Sequence, residues 1–259
     1  MKEEEKCKLR LRLLYGTIHG ATTREEQKHA LCPCLRLSSS ADGKVIAMTH
    51  PAAPVPPRRA AADAFPVVVI AASAGGIRAL RHLFGALPAD WPAAIAVVQH
   101  RSPQHPGLLA AVLHRSATLP VQDATPGERL QPGRILLAPA DHHLLVEPDG
   151  RVALSTAARV QWVRPAADVL FASVAPVFTT RVIAVVLTGW GSDGTQGIQR
   201  VKQWGGTVIA QDEASSEVFE MPRSAIATGA VHGILSLEAI APALVATVAT
   251  LTQAFTPIS

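Results

Sequence analysis

From Val67 onward the chain alternates two kinds of apolar pattern. The runs VVVIAAS (67–73), AAIAVVQH (93–100), RILLAP (134–139), RVIAVVLTG (181–189) and GTVIAQD (206–212) are short and nearly continuous, as strands covered on both faces should be. Between them lie stretches with helical spacing: IRALRHLFGAL (77–87), HPGLLAAVLHRSA (105–117), AADVLFASVAPVF (166–178) and GTQGIQRVKQWGG (194–206). Strand and helix in turn predict a three-layer, doubly wound α/β fold around a mostly parallel sheet, a Rossmann-like layout. Within HHLLVEPDGRVALS (142–155), Asp149-Gly150 separates two alternating runs and predicts an inserted β-hairpin.

The first sixty-odd residues read differently. The stretch SSSADGKVIAMTHPAAPVPPRRAAADAF (38–65) is rich in Pro, Ala and Ser and has little periodicity, the composition of a linker. The division expected is therefore an irregular, disordered, basic leader over 1–64 and one α/β domain over 65–259. The leader is expected to be dispensable, and Met48 offers a later start.

Charge follows the same division. Up to Ala60 there are eleven Lys or Arg against six Asp or Glu, and beyond it thirteen against fourteen. The sequence pI of about 9.3 thus belongs to the leader, and a near-neutral domain lacks the basic stripe that nucleic-acid binding requires. All three cysteines, Cys7, Cys32 and Cys34, also lie in the leader. An odd number without a secretory signal argues against a disulfide framework, and reduced thiols are the favoured reading over a zinc site built on Cys32, Cys34 and His29. The apolar runs are strand-sized or broken by Pro and Gly, including AIAPALVATVATL (239–251), so no membrane insertion is expected and the cytoplasm is the expected compartment.

Polar residues at the strand ends carry the chemistry. Ser73 ends the first run, His100 ends the second and Asp193 follows the VIAVVLTG run, so all three belong at the carboxyl edge of one sheet, where open α/β sheets bind ligands. Serine, imidazole and carboxylate are nucleophile, base and orienter. Each has a plainer reading: Ser73 before Gly75-Gly76 as a helix cap or anion site, His100 as a satisfied strand-end histidine, Asp193 as an N-cap. The elbow G-x-S-x-G is not present, because Ala71 stands at its first glycine, and the order Ser, His, Asp is not that of α/β-hydrolases. AASAGG also lacks the spacing of G-x-G-x-x-G and the GK[ST] of a Walker loop. A non-catalytic module that binds an anion or nucleotide at the Ser73–Gly76 turn stays open as the alternative.

Six blocks in order, IAASAGGIRAL, AVVQHRSPQHPGLLAAVL, PGRILLAPADHHLLV, RPAADVLFASVA, VVLTGWGSDGTQGI and IAQDEASSEVFEMPRSAI, resemble the catalytic domain of CheB-type chemotaxis protein-glutamate methylesterases. The resemblance implies hydrolysis of γ-glutamyl methyl esters on chemoreceptor cytoplasmic helices, or on a similar methylated protein, with glutamine deamidation in some members. It implies Ser73 as nucleophile, His100 as base and Asp193 as the orienting acid, with no metal or organic cofactor. Ala74, Gly75, Gly76, Gly189, Trp190 and Met221 are the substrate or oxyanion candidates that go with it. Departures fall around the site: Ala74 where threonine is usual, Arg101 and Trp190 where methionine is common, and Ser216, Glu217 and Glu220 in the last block. A receiver domain precedes the catalytic domain in two-component members, and the leader is too short for one, so a constitutive enzyme or a separate regulatory chain is expected. Asp141, His142, His143 and His105 invite a metal reading, but surface or packing roles are favoured. Arg164 and Arg223 are candidates for steering an acidic receptor surface.

Overall fold

The computed structural model describes residues 65–101 and 108–255, so the leader with its cysteines, and His105, lie outside the described residues. The first strand, β1 (Val67–Ala72), is followed by α1 (Gly76–Gly85), β2 (Ala94–Gln99), α2 (Leu108–His114), β3 (Val121–Asp123) and β4 (Ile135–Leu137). Next come the hairpin strands β5 (His143–Val146) and β6 (Val152–Ser155), and then α3 (Ala167–Phe178). The carboxyl half holds β7 (Val182–Val186), α4 (Thr195–Gln203), β8 (Thr207–Gln211), α5 (Glu220–Ala227), β9 (Gly233–Leu235) and α6 (Leu237–Phe255).

Seven strands form one sheet in the order β3-β4-β2-β1-β7-β8-β9, every pairing parallel. The alternating side chains of β1 show why both faces must be covered. Val67, Val69 and Ala71 pack with Phe171, Val174 and Phe178 of α3 and Ile198 and Val201 of α4. Val68, Ile70 and Ala72 pack with Leu80, Leu83 and Phe84 of α1, Leu113 of α2 and Ile240 and Leu244 of α6. Each large apolar side chain so buried contributes about 1.5–3 kcal/mol. The doubly wound α/β fold expected from the sequence is the one observed.

Strand order reverses between β1 and β7, the place where such sheets open a crevice at their carboxyl ends. The antiparallel β5-β6 hairpin forms a separate two-stranded sheet. Its Leu144, Val146 and Val152 join the α3 side of the core, and Ser173 Oγ accepts from the Val146 N–H at 3.0 Å. Covered by sheet and hairpin, α3 is buried along most of its length, and the acid in its first turn, Asp168, is wholly enclosed.

The sequence pattern misses β3 and β9, edge strands of three residues each, and it treats Pro242 as a break. The structure continues α6 through Pro242. Among the described residues α6 is the one helix long and apolar enough to cross a membrane, yet its Ile240, Leu244 and Val248 stripe is buried with α1 and the sheet.

Candidate active site

Residues at the ends of β1, β2 and β7 stand level because the strands run in register: Ala72 lies opposite Gln99, and Ala71 opposite Val186. Beyond them the His100 N–H donates to Ala72 O at 2.9 Å and the Ser73 N–H to Thr188 O at 3.0 Å. Adjacent strands are about 4.8 Å apart, so the backbones of Ser73 and His100 are immediate neighbours.

The turn that carries Ser73 is built by glycines and one amide. Gly75 is left-handed, with φ 75°, and forms the N-cap of α1 without a side-chain cap bond. A side chain there would be strained by conformation and would meet Glu217, whose Cβ lies 2.7 Å from an added Cβ. An added Cβ on Gly76 would collide with Gln99 Oε1. Gln99 is buried at the end of β2, and its Nε2 donates to both Ser73 O and His100 O at 2.9 Å. One amide thereby ties the serine turn to the histidine turn. Ser73 is not the cap of α1, and among the described residues its Oγ makes no hydrogen bond.

The acid side is built by side chains. Asp193 Oδ2 lies 2.8 Å from His100 Nε2, with the carboxylate 3% and the imidazole 12% exposed. The same carboxylate accepts from two backbone N–H groups at the start of α3, Ala167 at 2.6 Å and Asp168 at 3.0 Å. Free N–H groups of a buried helix end need acceptors, and the N-cap of α3, Ala166, supplies none. Asp193 therefore caps α3, not α4, whose N-cap is Gly194. With Nε2 engaged as donor to the carboxylate, the neutral imidazole carries its lone pair on Nδ1.

Three residues that sequence reasoning missed complete this network. Asp168 Oδ1 accepts from the Gly197 N–H at 2.8 Å, and its Oδ2 from Gln161 Nε2 at 2.7 Å. Gln161 Oε1 accepts from Ser192 Oγ at 2.6 Å. Burial first, then the neighbouring Asp193 charge, push Asp168 up to about 7 against the hydrogen bonds of Gly197, Gln161 and Gln196. Thr188, also missed, holds the β7 turn: its N–H donates to Gln211 Oε1 and its Oγ1 accepts from the Val218 N–H, each at 2.9 Å. The sequence signal for Asp168 is a lone charge in an apolar helical run; for Gln99 it is a polar residue closing an apolar strand.

Among the remaining candidates, Gly189 lies against the serine. An added Cβ there would be 2.5 Å from Ser73 Cβ and from Met221 Sδ. The Gly189 N–H is taken by Val218 O, and Gly189 O accepts from the Met221 N–H, both at 2.9 Å. Met221 is fully buried beneath this turn, while Trp190 is 65% exposed. Among the described residues the N–H groups of Ala74 and Trp190 donate to no protein acceptor. A cavity of about 230 Å³ is lined by His100 together with Arg101, Arg159, Trp162, Val163, Arg164 and Pro165.

Of the groups read for metal or steering, His142, His143, Asp141 and Arg164 are engaged in local contacts. His143 is enclosed in β5, where Nδ1 accepts from the Ala166 N–H and Nε2 bonds Ala158 O, and burial lowers its pKa. His142 Nδ1 bonds Ala140 O. Arg164 is tied to Asp141 at 2.8 Å and to the carbonyls of Thr156 and Ala157, and its guanidinium holds the Asp141 carboxyl below the usual range. Arg223 is exposed on α5.

With this geometry in place, comparison with known proteins decides the family. The model of the CheB methylesterase family matches residues 68–244. The chain belongs to that family. A protein-glutamate methylesterase/protein-glutamine glutaminase of Moorella thermoacetica is 41% identical over 237 residues, covering 90% of this chain and 54% of that protein. A putative enzyme of the same name from Leptospira interrogans is 37% identical over 68% of this chain and 92% of its own length. The crystal structure of the Thermotoga maritima CheB methylesterase catalytic domain superposes with a TM-score of 0.69 at 39% identity, over 71% of this chain and 99% of that domain. The chain spans about half the length of the first of these relatives, and the CheB match lies within the doubly wound domain.

Proposed function

We propose that this CheB-family chain is a carboxylic ester hydrolase that removes methyl groups from γ-glutamyl methyl esters of a protein, with Ser73 as nucleophile, His100 as base and Asp193 as its orienter. The observation that carries the reading is the 2.8 Å contact of the enclosed Asp193 carboxylate with His100 Nε2, beside a serine whose hydroxyl serves neither the helix cap nor any described partner.

Chemistry then follows from which atoms are free. Asp193 holds the Nε2–H tautomer and stabilises the imidazolium, leaving Nδ1 to take the hydroxyl proton as Ser73 Oγ attacks the ester carbonyl. The tetrahedral oxyanion requires N–H donors aimed at it. Ala74 and Trp190 offer backbone N–H groups without a protein acceptor, whereas that of Gly189 is spent on Val218. Collapse expels methanol with the proton from Nδ1, and water drawn to the same nitrogen hydrolyses the glutamyl ester on Ser73. Replacing methoxide by ammonia as the leaving group gives the glutaminase reaction named for the Moorella relative.

The substrates proposed are methylated cytoplasmic helices of chemoreceptors or a similarly methylated protein, met in the cytoplasm. The test is methanol release from methylated receptor cytoplasmic fragments, wild type against Ser73→Ala. Loss of at least about a thousandfold in the variant, with melting unchanged, is expected for removal of a nucleophile. Equal release by the two proteins overturns the reading.

A further inference from the structure

We infer that Asp168 is a positioning residue of this site, holding both Asp193 and Gln161, the residue before Trp162 in the wall of the cavity beside His100; the inference rests on the hydrolase reading above. The two helices cap each other crosswise. Asp193, which precedes α4, accepts from the Ala167 and Asp168 N–H groups that open α3. Asp168, in the first turn of α3, accepts from the Gly197 N–H in the first turn of α4. Neither helix has a side-chain cap from its own N-cap residue. Gly197 permits the approach: an added Cβ there would stand 2.5 Å from Phe171 Cβ and 3.1 Å from Asp168 Cα. Shifting Asp168 therefore shifts the start of α4, and Asp193 with it.

The other carboxylate oxygen of Asp168 reaches the residue that precedes the cavity-lining Trp162. It holds Gln161 Nε2, and Gln161 Oε1 takes the hydroxyl of Ser192, the neighbour of Asp193. Gln161 and Trp162 are left-handed, with φ 48° and 68°, conformations that non-glycine residues keep only when their surroundings hold them. Trp162 is 90% exposed and lines the same cavity as His100. Asp168, Gln161, Ser192, Asp193 and the start of α3 thus close a ring around the acid side of the site.

Among the described residues, Asp193 is the charge that raises Asp168. Asp193 comes from the loop before α4, His143 from β5 is held in the hydrogen bonds described above, and Arg164 is committed to Asp141. β1 and β7 offer only apolar side chains to this layer, and Arg200 and Lys202 lie in the last turn of α4, where Lys202 Nζ donates to Gly229 O at 2.7 Å. Enclosure and the Asp193 charge bring Asp168 to about 7, so it takes up a proton within the working range of an imidazole base. A protonated Asp168 must donate from one oxygen, and Gln161 facing it through Nε2 must turn over, which reverses the bond to Ser192.

Asp168→Asn has the shape and hydrogen-bonding sense of that protonated acid. Methanol release from a methylated receptor fragment, measured against pH and against Ser73→Ala, tests the inference. In the wild type the acid limb of Ser73-dependent kcat is expected to fall with two ionisations. In Asp168→Asn kcat is expected to drop about tenfold with KM within about twofold, and the limb to keep one ionisation. An unchanged kcat and profile, or an equal loss at every pH with the wild-type shape retained, overturns the inference while leaving the hydrolase reading intact. Absence of any Ser73-dependent turnover in the wild type overturns both. Should Asp168→Asn fail to fold, carboxyl-carbon NMR of the aspartate-labelled wild-type chain decides instead: one folded-state aspartate titrating near neutrality supports the inference, and none doing so overturns it.

Discussion

The serine side and the acid side of the site are made in different ways. Ser73 is held by backbone: strand register, the left-handed Gly75, and close approaches at Gly76 and Gly189 that only glycine allows. Asp193 is held by a ring of side chains and helix ends drawn from the 161–168 segment and the 192–197 segment. A backbone-built turn fails when something is added to it, and a side-chain ring fails when something is removed or its protonation changes. The two sides should therefore respond to opposite kinds of mutation.

The largest effect is expected from removing the acid. Asp193→Asn leaves the volume unchanged but presents a donor where His100 Nε2–H and two α3 N–H groups need an acceptor. Turnover is expected to fall about a thousandfold or more, and unfolding stability by about 1–3 kcal/mol for the lost cap. Kinetics and thermal melting of one preparation check both, and a variant with wild-type melting would detach Asp193 from the α3 cap.

An addition on the serine side comes next. Gly189→Ala places a methyl 2.5 Å from Ser73 Cβ and from Met221 Sδ, so Ser73 or the buried methionine must move. Overpacking of this kind costs about 1–3 kcal/mol, and displacing Ser73, the proposed nucleophile, is expected to cost about a hundredfold in turnover. Methanol release measured beside melting separates the two contributions, and full activity would mean that Met221 alone absorbs the strain.

How much of this was legible in the sequence follows the same division. Ser73 and His100 could be read because a strand end followed by glycines is a local pattern, and Asp193 because it trails the next long apolar run. The ordered family blocks carried the same three positions. Asp168 looks like an ordinary first-turn acid of α3, and only the β5-β6 hairpin, folding over that helix, turns it into an enclosed carboxylate beside a second one. Edge strands of three residues carry too short a pattern to detect, and α6 runs through Pro242 because its apolar stripe has a sheet to bury against.

The smallest effect is on stability against pH. Asp168 is raised from 3.8 to about 7, so the native state binds the extra proton between those values. Its stabilising contribution is complete below about 4 and is lost as pH rises through about 7. His143 is lowered from 6.5, and its contribution is present above that value and lost as pH falls. Below 6.5 the two oppose each other, and between 6.5 and about 8 the Asp168 loss stands alone. The melting temperature of Asp168→Asn relative to wild type is expected to rise by a few degrees across that upper window and to level off beyond it. A difference that stays flat with pH would mean that Asp168 titrates no differently folded than unfolded.

The site's central claim is that Ser73 is a nucleophile activated through His100 and Asp193. Its most direct measurement is the site of covalent labelling by a serine-directed fluorophosphonate, mapped by peptide mass spectrometry in wild type and in His100→Gln. The expected result is one adduct, on Ser73, formed at least about a hundredfold more slowly in the variant. An adduct on another residue, or labelling of Ser73 at equal rates in both proteins, would contradict the claim.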